Sequence, residues 1–123
     1  MGKFSRVKIA GRWVEAPRWA LDLPFEVRPS RGFRTTAWAL WRPTLTLLAR
    51  AAKAQRQRLE WVRIHDHVGT RREPQHPFGW VITETGEMFL CSYDKGTALH
   101  ELAHLITGDS HGDAWARRCF ELH

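Results

Sequence analysis

Residues 94–108 constrain this chain more than any other stretch. Asp94 or Thr97 can cap a helix start and Gly108 can stop one, and between them Leu99, Leu102, Leu105 and Ile106 recur at the spacing of a single helix face. That face has to be buried. Yet His100, Glu101 and His104 lie on it or beside it. Leaving such groups in a core without partners would cost roughly 1–3 kcal/mol each. A fold that takes in this helix must therefore provide something for those three side chains to bind.

The rest of the chain allows only one core. At 123 residues and 14.3 kDa it matches a single domain. With 43% hydrophobic and 26% charged residues it has a globular composition, and seven tryptophans supply large anchors. Arg and Lys interrupt every apolar run before it reaches membrane-spanning length, so no membrane association is expected. The start, MGKFSRVKIAGRW, lacks the apolar stretch of a secretory signal, and Arg6 departs from the myristoylation pattern. Cys91 and Cys119 form no CxxC and no disulfide framework, which predicts a reducing, cytoplasmic setting.

Charge is divided unevenly along the chain. Residues 1–60 carry 13 Lys and Arg against 4 Asp and Glu, whereas residues 61–123 carry 6 against 9. The basic half predicts attraction to an anionic partner, nucleic acid among them, although a solvated arginine-rich surface has the same composition.

Coarse organisation follows from punctuation and periodicity. Residues 1–43, broken by Pro17, Pro24, Pro29 and Pro43, read as a basic Trp/Pro-rich segment that is either an arm or a wrap of the core; residues 44–123 read as the main domain. Arg6–Ile9 and Arg12–Glu15 can pair across Ala10-Gly11. Pro43 suits a first helical position, with Leu45, Leu48, Ala49, Ala52 and Leu59 continuing the helix to about Glu60. Trp61–His65 alternates as a strand and 66–77 is a loop. Phe78–Thr83 and Glu87–Ser92 form a hairpin around Glu84-Thr85-Gly86, and the helix described above comes next. A last helix spans about 112–122. The fold class expected is α+β: a helix packed on a short, mainly antiparallel sheet, then the helix of residues 94–108 and a C-terminal helix.

His100-Glu101-Leu102-Ala103-His104 is an HExxH motif, for which seven histidines in this composition give only about 0.025 chance matches. Histidines four apart on a helix lie about 40° apart in rotation and about 6 Å apart along the axis, so both imidazoles can reach one Zn2+. Glu101 projects from a neighbouring face, where its carboxylate can take a proton from a water on that metal. Catalytic zinc takes three protein ligands and keeps one open position. His111 leads as the third ligand, since Gly108 can break the helix and let the chain fold back; Asp109, Asp113 and the more remote Glu121 are rivals.

The stretch HELAHLITGDSHGDAWARRCFEL resembles the active-site end of zincin metallopeptidases, most nearly the small SprT-like and phage or actinobacterial ones. Their pattern of HExxH, a short insertion, HG, an aromatic and a helix maps onto His100, Glu101, His104, His111, Gly112 and Trp115. The likeness covers about residues 78–122. It departs from the SprT-like pattern in its shorter His104–His111 step and from the metzincin pattern in having no Met-turn. A second likeness is to ImmA/IrrE-type regulatory proteases, whose third ligand is a carboxylate on the next helix and which would favour Asp113.

The resemblance implies a small zincin-like domain that hydrolyses peptide bonds of a protein or peptide substrate. Zinc would acidify its water and polarise the carbonyl, and Glu101 would act as general base. In such enzymes a strand beside the motif helix aligns the substrate; Glu87–Ser92, read as an edge strand, is the candidate. Tyr93, His65, His67 and His76 are candidates for stabilising the oxyanion. His65-Asp66-His67 is either a second metal site or a solvated strand end. Two other function classes fit the residues: a nucleic-acid-associated protein with a structural zinc site, and an interaction module that keeps zinc without using it. The sequence does not specify an oligomeric state.

Overall fold

The structure, a computed structural model, describes residues 4–65 and 79–108, the Trp80 side chain excepted. Strands β1 (Phe4–Ile9) and β2 (Arg12–Pro17) form an antiparallel hairpin in which Ile9 faces Arg12. A single helical turn, α1 (Arg18–Leu21), leads to β3 (Glu26–Pro29), and a 3-10 turn at Thr35–Ala37 leads to α2 (Trp38–Ala54). Then come β4 (Trp61–Ile64), β5 (Gly79–Ile82), β6 (Glu87–Leu90) and α3 (Lys95–Thr107).

The second sheet is mixed, in the order β3-β4-β6-β5: β4 runs parallel to both β3 and β6, and β5 runs antiparallel to β6. Its strands alternate as half-buried strands do. Val27, Val62, Ile64, Met88 and Leu90 are buried on one face, and α2 and α3 supply Trp38, Trp41, Leu45, Leu48, Leu99 and Leu102 to the same core. Buried indoles need hydrogen-bond acceptors. Trp38 Nε1 donates to the Glu15 carbonyl and Trp41 Nε1 to the His65 carbonyl, each at 3.0 Å.

The tryptophans of residues 1–43 are largely part of this core. Trp19 and Phe33 meet the Trp38 ring edge-on at 5.8 and 5.0 Å. The division expected at residues 43/44 falls inside α2, and β3, from the N-terminal side of it, pairs with β4.

Two boundaries differ from expectation. Helix α2 starts at Trp38, so Pro43 lies inside it instead of at its first position. Proline there removes the hydrogen bond to the Ala39 carbonyl, but both residues are on the exposed face, where water can take that carbonyl. The helix also stops at Ala54, short of Glu60. Arg56 adopts φ 54°, and the Arg56 and Gln57 N–H groups bond back to the Lys53 and Ala52 carbonyls at 3.0 and 2.8 Å. That is a Schellman stop with arginine in the left-handed position usually held by glycine.

The strand Glu87–Ser92 is also not an edge. Its strand part, β6, lies between β4 and β5, and among the described residues the edges of this sheet are β3 and β5, with β5 the one beside α3. The expected loop at 66–77 and the helix at 112–122 lie outside the described residues.

Candidate metal centre

Helix α3 is defined at both ends by local chemistry. Asp94 caps it, its carboxylate accepting from the Thr97 N–H at 2.9 Å. Gly108 closes it at φ 65°, a left-handed conformation that costs glycine little, and donates its N–H to the His104 carbonyl at 2.8 Å. The helix lies on the buried face of the sheet, against β5 and α2, and Leu99, Leu102, Ala103 and Leu105 are buried beneath it.

This packing brings His100 and His104 together, both half-buried. Their Nε2 atoms are 3.2 Å apart, with ring centroids at 4.9 Å and planes at 71°. Two nitrogens bound to one tetrahedral zinc at about 2.0–2.1 Å would stand about 3.3 Å apart. The imidazole pair therefore matches the bite of a single cation. Without one, the same separation suits an N–H···N contact between a protonated and an unprotonated ring nitrogen.

Glu101, on the neighbouring face of the helix, is buried between α3 and β5, its Cγ beside Gly79. It is 7% exposed and, among the described residues, has no hydrogen-bond or ion-pair partner. Burial pushes its carboxyl up from 4.5 to about 7. A buried carboxyl of this kind is expensive unless it is protonated or has a cation or water to serve. Its neighbour across the packing interface is Gly79 in β5. A β-carbon there would stand 2.6 Å from the Phe89 carbonyl oxygen, so only glycine lets β5 lie this close to β6, while Glu101 Cγ at 3.4 Å would be in ordinary contact. Gly79 reaches α3 because it is in register with inward-facing Leu90.

Of the other site candidates, two fall within the described residues. Tyr93 is exposed just before α3, with its ring edge-on to Trp41 at 6.2 Å and its carbonyl accepting from the Thr44 hydroxyl. His65 directly follows β4, tied to the same Trp41 indole through its carbonyl. Trp41 thus links the segments that carry both residues. His67, His76, Asp66, His111, Asp109, Asp113 and Glu121 lie outside the described residues, and among the described residues no three candidate ligands form a metal-binding group. The donors present, two convergent imidazoles, suit zinc, and the buried Glu101 carboxyl one residue along the helix is not counted among them. Sequence reasoning did not single out Gly79, Trp41 or Thr44; the one signal for Gly79 was an isolated glycine at a strand start.

No protein-family model matches the sequence, and no curated protein matches it significantly. Among solved structures, the fold is similar to that of Wss1 from Saccharomyces cerevisiae, with a TM-score of 0.60 and 17% identity over 80% of this chain and 85% of that one. A mutant of the same protein gives a TM-score of 0.61 at 17% identity over 80% and 86%. The chain thus has a small α+β fold like that of Wss1. Among the described residues no helix is long and apolar enough to cross a membrane.

Proposed function

We propose that this protein is a zinc-dependent metallopeptidase. One observation carries the reading: a helix that brings two imidazole nitrogens to 3.2 Å also buries, at the residue between them in the HExxH pattern, a carboxyl that has no partner among the described residues. The likeness of fold to Wss1, a metallopeptidase-like fold, supports it. His100 and His104 would hold the ion, with the third ligand drawn from His111, or alternatively Asp113 or Asp109, beyond Gly108. When bound, zinc supplies an acidified water and a Lewis acid for a peptide carbonyl. Glu101 takes the proton of the attacking water onto its carboxylate and returns it to the departing amine. Strand β5, as the edge beside α3, replaces Glu87–Ser92 as the strand against which an extended peptide would pair.

The test is metal analysis together with hydrolysis of an unstructured protein such as casein. Glu101→Gln should keep zinc and lose hydrolysis by a factor of at least about 100. Full activity in that variant would overturn the reading. Zinc loss in His111→Ala, set against Asp113→Ala, assigns the third ligand and separates the SprT-like arrangement from the ImmA/IrrE-like one.

A specific observation favours a second reading, nucleic-acid association. On the face of the sheet away from the core, Arg28 and Arg63 place their guanidinium groups 4.5 and 5.5 Å from the half-buried Trp61 ring, which meets Phe89 at 5.0 Å. Arginine beside a flat aromatic suits phosphate and base stacking. Binding of a single-stranded oligonucleotide that weakens steeply with salt, and weakens further in Trp61→Ala, is the expected result. Salt-independent binding would count against it.

A further inference from the structure

Away from α3, the molecule has a half-open apolar cleft of about 730 Å³, bounded by β1, β2, α1, β3 and the C-terminal end of α2; no residue of α3 lines it. Its volume is in the range of small-molecule sites. Four alanines line it, Ala16, Ala20, Ala49 and Ala52, and larger side chains at those positions would have filled the space. Phe25 and Leu59, both buried, complete an aliphatic and aromatic wall.

The polar lining residues are not balanced. Glu26 pairs with Arg28 at 2.5 Å and Glu60 pairs with Arg58 at 2.6 Å, so both carboxylates at the cleft are already neutralised. Lys8 and Lys53 also line it, and among the described residues neither has an ion-pair partner. An apolar interior with two unpaired ammonium groups is complementary to a ligand with a hydrocarbon body and one negative head.

We infer that this cleft is a binding site for an aliphatic carboxylate, its chain held among the alanines, Phe25 and Leu59 and its head facing Lys8 and Lys53. The site is separate from the candidate metal centre and does not depend on hydrolytic activity. A longer or branched anion of the same kind would enter the same way, whereas a cationic amphiphile would meet like charge at the opening.

The test uses the full chain and two amphiphiles with the same tail, decanoate and decyltrimethylammonium, titrated calorimetrically below their micelle concentrations. Expected is saturable one-to-one binding of decanoate, at least about tenfold tighter than that of the cation. The paired substitutions Lys8→Glu and Lys53→Glu, both on exposed side chains, should remove or reverse that preference. Ala52→Phe, which puts a ring into the cleft, should abolish decanoate binding while circular dichroism stays native. No saturable binding, equal affinity for both heads, or undiminished binding by folded Ala52→Phe would each overturn the inference. Should Ala52→Phe not fold, the head-group preference and its loss on lysine reversal decide alone. A filled cleft that only raises the melting temperature, with no decanoate binding in the parent protein, would identify a packing void instead.

Discussion

Gly79 lies against Glu101 with no room for a β-carbon, since an added methyl would meet the Phe89 carbonyl oxygen at 2.6 Å. The edge strand thus meets both β6 and the motif helix at a position where the β6 backbone leaves room only for glycine. Gly79→Ala should destabilise the protein by about 1–3 kcal/mol, the usual cost of forcing extra bulk into a packed interface. Urea denaturation checks this, and unchanged stability would mean that β5 can shift freely away from the Phe89 carbonyl of β6.

Burial of the Glu101 carboxyl makes the stability of the metal-free protein pH-dependent. Its folded-state value, about 7, is above the 4.5 of the unfolded chain, so the folded protein binds the proton more tightly. Stability from this group is therefore fully present below about 4.5, falls as pH rises towards 7, and levels off above that. The total loss is on the order of 3 kcal/mol. With chelator present, Glu101→Gln should flatten this dependence and be the more stable protein at pH 8, as read from denaturation midpoints at pH 5 and pH 8.

The stop of α2 carries a removable strain. Arg56 sits at φ 54°, where a β-carbon costs roughly 1–2 kcal/mol and glycine pays little. Arg56→Gly should stabilise the protein by about 0.5–1 kcal/mol, allowing for the greater freedom glycine has when unfolded. The expected signature is a higher urea midpoint at an unchanged slope.

At the start of α3, Asp94→Ala removes the acceptor for the Thr97 N–H and should cost about 1 kcal/mol. Amide exchange should quicken first at Gly96 and Thr97. Uniform slowing or no change at these amides would show that the turn is held by packing instead.

What the sequence reveals here depends on how local the cause is. The extent of α3 is legible because Asp94 and Gly108 act within one turn of where they sit, and both hairpins follow from short turns between alternating runs. The start of α2 is obscured because Pro43 mimics a first helical residue while resting on a solvent-facing side. The insertion of β6 between β4 and β5 leaves no local mark, since it depends on which distant backbone Trp61–Ile64 selects. The imidazole pair is legible from spacing alone. The closeness of Gly79 to Glu101 arises only once Gly79 and Leu90 are in register.

The parallel ladders have a consequence for how the chain assembles. Strand β4 takes neighbours from well before it and well after it, so one side of its backbone stays unpaired until Glu87–Leu90 arrive. On the ribosome, the earlier segments wait as an unfinished, sticky surface. Among the described elements, the motif helix emerges last, onto a bed already laid.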